Sequence, residues 1–131
     1  MGPEEPLRHV LVRTECRILG DPLRRALDEL TSAIIDHVNE AGFADEPSPK
    51  VDAVHLALMH SEVSEALEAA RHGNPPSDKI PEFSQYEEEM ADLMLRVCDF
   101  CGRRGLDLAG AILAKMDYNR NREYRHGGKA F

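Results

Sequence analysis

The sequence predicts an all-α protein built from four helices. Its apolar content is mainly Leu, Ala, Val, Ile and Met, with only 5% aromatic residues and no Trp, a mixture that favours helices. Apolar residues recur with the helical period in several segments. Capping residues and glycine or proline stops bound those segments.

At 131 residues the chain is long enough for one domain with a real core. Residues 1–20 fit no period well and read as an N-terminal extension: a short helix, an arm on a partner subunit, or a partly disordered segment. The helical domain then covers 21–131. Helix one is expected from Asp21 as cap and Pro22 at the first position, with Leu23, Leu27, Leu30, Ile34, Val38 and Ala41 as its stripe, and Gly42 as its stop. Helix two opens at Ser48-Pro49 and ends near His72, before Gly73-Asn74-Pro75-Pro76. Its period places Leu56, Met59, Val63, Ala66, Leu67 and Ala70 on the core face. His55, Leu58, Glu62, Glu65 and Ala69 form the strip beside it.

Ser84-Gln85-Tyr86-Glu87 is a capping box that opens helix three, which runs to about Arg104 and stops at Gly105. Its apolar arc, from Met90 through Met94 and Val97 to Cys101, is too broad for one neighbour and calls for a subunit interface. Asp107 caps helix four, making helices three and four an antiparallel pair. Leu106, Ala109, Leu113 and Met116 form the core stripe of helix four, and Lys115, Asn119 and Arg122 its polar strip.

The net charge of −8 argues against nucleic acid as a partner. No apolar run approaches the ~20 residues of a bilayer span, so no membrane partner is expected either. Three cysteines without framework spacing point to a reducing compartment, the cytoplasm. Cys98 and Cys101 face the apolar arc and read as core residues. From Lys115 onward five Lys/Arg stand against two acids, so the end of the chain is basic.

Two acidic phrases carry the chemistry: Glu62-Val63-Ser64-Glu65 and Glu89-Met90-Ala91-Asp92. Each sets two carboxylates one helical turn apart on an apolar margin. Brought together, four carboxylates would repel by about 3 kcal/mol per pair at ~5 Å and an effective dielectric of ~20. A cation would be needed, and oxygen ligands select Mg²⁺ or, as a substitute, Mn²⁺. The competing reading is surface ion pairing, with Arg96 placed to pair Asp92 and Arg103 to pair Asp99. On it the chain is a non-catalytic helical interaction module. A ferritin-like di-iron site lacks its Glu-x-x-His.

The order Glu62-x-x-Glu65, spacer, Glu89-x-x-Asp92 resembles the ExxE…ExxD signature of the MazG-like all-α nucleoside triphosphate pyrophosphohydrolases. Lys115 to Arg122 and His126-Gly127-Gly128-Lys129 look like that family's second block. The resemblance implies a four-helix protomer in a homodimer or a dimer of dimers (a homotetramer). It implies Mg²⁺ on Glu62, Glu65, Glu89 and Asp92, and Lys115, Asn119, Arg122 and Lys129 as ligands for phosphate or sugar. The implied reaction is cleavage of (deoxy)nucleoside triphosphates between the α and β phosphates. Ser61 stands where several relatives carry a glutamate base. That leaves Glu62, Glu65, Glu88 or metal-bound hydroxide to activate water.

Overall fold

The computed structural model describes residues 5–122, with side chains from residue 21 onward. Among the described residues it is all-α, with α1 at Glu5–Glu40, α2 at Pro49–Arg71, α3 at Gln85–Arg103 and α4 at Leu108–Arg120. No described helix is long and apolar enough to cross a membrane. The basic tail beyond Arg122, with Lys129, lies outside the described residues, as do residues 1–4.

Three of the four helix starts obey local chemistry. The Ser48 hydroxyl accepts from Val51 N–H at 3.2 Å to cap α2. The expected capping box is formed at α3, with Glu87 N–H donating to Ser84 Oγ and Ser84 N–H to Glu87 Oε1. Asp107 accepts from Gly110 N–H at 3.0 Å to cap α4. Gly42 and Gly105 take φ of +78° and +63°, left-handed values that suit glycine at a helix stop.

The start of α1 departs from expectation. The helix begins at Glu5 and passes through Pro22, so Asp21 does not begin it. Proline's φ is already helical, and its missing N–H removes one rung of the ladder without ending it.

The described residues divide into two compact units, and α1 contributes to both. The first joins the part of α1 up to Leu30 with the chain from Asp107 onward. Here the Arg24 guanidinium donates to both oxygens of Asp107, at 2.6 and 3.1 Å. The residue that caps α4 thus also ties α4 to α1, and Ala109 is buried beside it on α4.

The second unit spans Thr31–Leu106. Ile34, Ala69 and Cys98 are buried in it, and α2 packs along α3. A Cβ at Gly102 would run into Ile35 and Thr31, so glycine permits a close approach of α3 to the end of α1. Arg104 reaches Asp52 on α2 at 2.6 Å and lies over the Phe100 ring. Cys98 and Cys101 are free thiols, the first fully buried and the second half-buried.

The expected core face of α2 is not the face that packs. Leu56, Val63 and Leu67 stand 47%, 49% and 58% exposed, whereas Glu62 on the adjoining strip is 5% exposed. Met59 and Ala66 are half-buried and Ala70 is exposed. On α3, Met90 and Met94 are exposed while Glu88, Glu89 and Asp99 are buried. Periodicity tells which residues share a face, but the neighbour decides which face is covered. Of the stripe expected for helix four, likewise, Met116 in α4 and Leu106 just before it are exposed.

Candidate metal centre

Packing α2 against α3 turns the acidic strips inward. Glu62, Glu89 and Asp92 each offer a carboxylate oxygen, and these atoms lie within 4.8 Å of one another. Glu65, the fourth predicted ligand, is exposed but lies close enough to share a hydrogen bond with Glu89.

The electrostatics follow from this crowding. Burial, then hydrogen bonding and repulsion from Glu65 and Glu62, pushes the Glu89 carboxyl up to about 8. Asp92 is raised as well, by burial and then by the charge of Glu62. For Glu62, burial also acts upward. The Arg96 guanidinium and a hydrogen bond with Glu89 outweigh it and hold the group below the usual carboxylate range. Arg96 Nε donates to Glu62 Oε1 at 2.8 Å. One arginine on Glu62 and a proton on Glu89 therefore offset part of the cluster's charge.

The residues fit a divalent cation. Glu89 is 9% exposed, and among the described residues no N–H or O–H group donates to its Oε2. A buried carboxylate oxygen without a partner is costly, and a cation would remove that cost. The donor set is all oxygen, which suits Mg²⁺ or Mn²⁺.

The cluster opens into a cleft of about 540 Å³, a size that accommodates a small molecule. Glu62, Glu65, Asp92, Lys79 and Arg96 line it together with apolar and aromatic groups such as Leu58 and Phe43. His55, on the same strip of α2 as Glu62, also lines it and places Nε2 3.6 Å from Asp45.

Glu88 is placed differently. Its carboxylate accepts from the Ser77 hydroxyl at 2.6 Å and pairs with Lys79 at 3.3 Å. The Ser77 hydrogen bond outweighs burial, so Glu88 is held below the usual range and is a poor proton acceptor. Lys115, Asn119 and Arg122 are exposed residues of the other unit, where Lys115 Nζ lies 4.6 Å from the Tyr118 ring centroid.

Of the two local ion pairs offered as a rival reading, Asp99–Arg103 forms at 2.7 Å. Arg96, however, bonds across helices to Glu62. That link, like Lys79 at the cleft, lay beyond sequence reasoning, because local spacing carries no signal for partners 34 residues apart. Comparison of the chain with protein-family models, curated proteins and solved structures gave no match, so the centre rests on its own geometry: an acidic cluster able to hold a metal ion, two of whose carboxylates line a cleft.

Proposed function

We propose that the chain is a Mg²⁺-dependent nucleotide pyrophosphohydrolase that cleaves (deoxy)nucleoside triphosphates to the monophosphate and pyrophosphate. The observation that carries the reading is the buried Glu89 Oε2, without a donor among the described residues, inside a three-carboxylate cluster. The MazG-like order of the acidic motifs supports it.

Glu62, Glu89 and Asp92, with Glu65 beside them, would hold the ion. Bound Mg²⁺ supplies neutralisation of phosphate charge, which phosphoryl transfer needs most. Glu65 is the better water-activating base. It lines the cleft and is exposed, whereas Glu62 is committed to Arg96. On the motif resemblance, Lys115, Asn119, Arg122 and Lys129 serve phosphate or sugar. The proposal includes self-association into a homodimer or homotetramer, favoured by the exposed apolar residues of α2 and α3. It sets the activity in the cytoplasm, in keeping with the free thiols.

Assay of a nucleotide panel for pyrophosphate tests the reading. Release should require Mg²⁺ and fall about a hundredfold or more in Glu65→Gln and Asp92→Asn. Orthophosphate as the product would overturn the bond assignment. The non-catalytic alternative draws support from the Arg96–Glu62 pair, which already balances part of the cluster. It predicts no change in Tm on adding Mg²⁺ and nucleotide, where the enzyme predicts a rise.

A further inference from the structure

Lys79 occupies an unusual position for a surface lysine. Its side chain is 79% exposed, yet its backbone is fixed by a dense set of hydrogen bonds. Ser77 Oγ accepts from the N–H groups of both Lys79 and Ile80 at 3.1 Å. Ser77 N–H donates to Phe83 O, and Phe83 N–H to Ile80 O. The loop is then tied to the start of α3, where Gln85 N–H donates to Pro75 O and Tyr86 N–H to Asn74 Oδ1. A rigid loop thus presents a flexible cation, and that cation lines the same cleft as Glu62, Glu65 and Asp92.

The partner of Lys79 can release it. Glu88 keeps the Ser77 hydroxyl on Oε2 when the ammonium leaves Oε1, so no buried carboxylate is stranded. The pair is 3.3 Å long and its lysine end stands in solvent, which keeps it weak. A nucleoside triphosphate remains anionic after binding one divalent ion, and the carboxylates around it repel that charge. Arg96, also in the lining, is held by Glu62. Lys79 is the better placed of the two to answer the phosphate charge.

We propose that Lys79 is a substrate-binding residue whose ammonium moves from Glu88 to a phosphate oxygen of the nucleotide bound in the cleft. This rests on the pyrophosphohydrolase reading. No bond is made or broken in the exchange; one charge-assisted hydrogen bond replaces another.

The test compares wild type, Lys79→Met, Lys79→Arg and Glu88→Gln. For each, KM and kcat are measured with a nucleotide that the wild type hydrolyses, along with pyrophosphate inhibition and the Tm shift given by Mg²⁺ alone. Lys79→Met should raise KM and weaken pyrophosphate inhibition by about tenfold to a hundredfold. Lys79→Arg should recover most of that loss, and the Mg²⁺ shift should stay at the wild-type value. Glu88→Gln should lower Tm while leaving KM near or below wild type, because it frees the lysine. An active wild type with no KM or inhibition change in Lys79→Met overturns the role of Lys79 and leaves the pyrophosphohydrolase standing. Equal losses in Lys79→Met and Glu88→Gln also overturn it, since they would show that the lysine only tethers the loop. A wild type that neither hydrolyses nucleotides nor binds pyrophosphate with Mg²⁺ overturns both.

Discussion

The two faces of the α2–α3 pair differ in a way that reverses the usual order of a soluble fold. The inward face carries Glu62, Glu89 and Asp92. The outward one carries Leu56, Val63, Leu67, Met90 and Met94, all exposed. Burying carboxylates while leaving aliphatic groups in water is unfavourable on both counts. On the proposed function, the inward face is given to a metal ion and its substrate and the outward face to a second copy of the chain. Sites that violate stability rules are where function is expected.

The largest expected effect comes from breaking the inward face. Glu89→Gln imitates the protonated carboxyl of the apo cluster. It should leave apo Tm unchanged or raised, yet remove the Mg²⁺-dependent rise in Tm and cut activity about a hundredfold or more. A variant that keeps its Mg²⁺ response would show that the ion is not on Glu89.

The outward face is broken by Leu67→Lys. If a second copy covers it, sedimentation should show a shift toward monomer, with the Mg²⁺ response retained at high protein concentration. An unchanged assembly state would mean that this face is free in solution.

Titration sharpens the contrast. Glu89, raised to about 8, is protonated in the folded apo chain and ionised in the unfolded chain between the ordinary carboxyl range and that value. The folded state then binds the extra proton, so apo stability should fall as pH rises through this window. Mg²⁺ must displace the same proton, so its affinity should rise with pH toward about 8, with proton release measurable by calorimetry in buffers of different ionisation enthalpy. A flat Mg²⁺ affinity across this range would contradict the assignment.

The smallest effect is local. Ser84→Ala removes the capping hydroxyl of α3 and should cost about 1 kcal/mol in denaturant unfolding, without altering either face. Loss of activity beyond that of a slightly less stable protein would mean that the cap also positions Glu88 and Glu89.

What was legible in the sequence was whatever is settled within a turn of helix. Ser48, Ser84 and Asp107 start their helices by bonding to N–H groups three residues on, and Gly42 and Gly105 stop helices through left-handed backbone. The acidic pairs were legible too, because their spacing alone sets them on one side. The beginning of α1 was not, since Pro22 can serve as either a first or an interior residue. Nor could the period of α2 say that its acidic strip, and not its leucine-bearing face, would meet α3. Arg96 shows the limit best: spacing offers Asp92 four residues back, and the folded chain chooses Glu62.

That choice has a bearing on how the protein is made. If the centre holds Mg²⁺ as proposed, a guanidinium on one carboxylate and a proton on a carboxyl raised to about 8 lessen the charge the chain must fold around before the ion binds. Chelator should leave the helical circular-dichroism spectrum intact while silencing catalysis. On that proposal, assembly of the polypeptide and loading of the centre are separate events, the second set by the supply of free divalent ion.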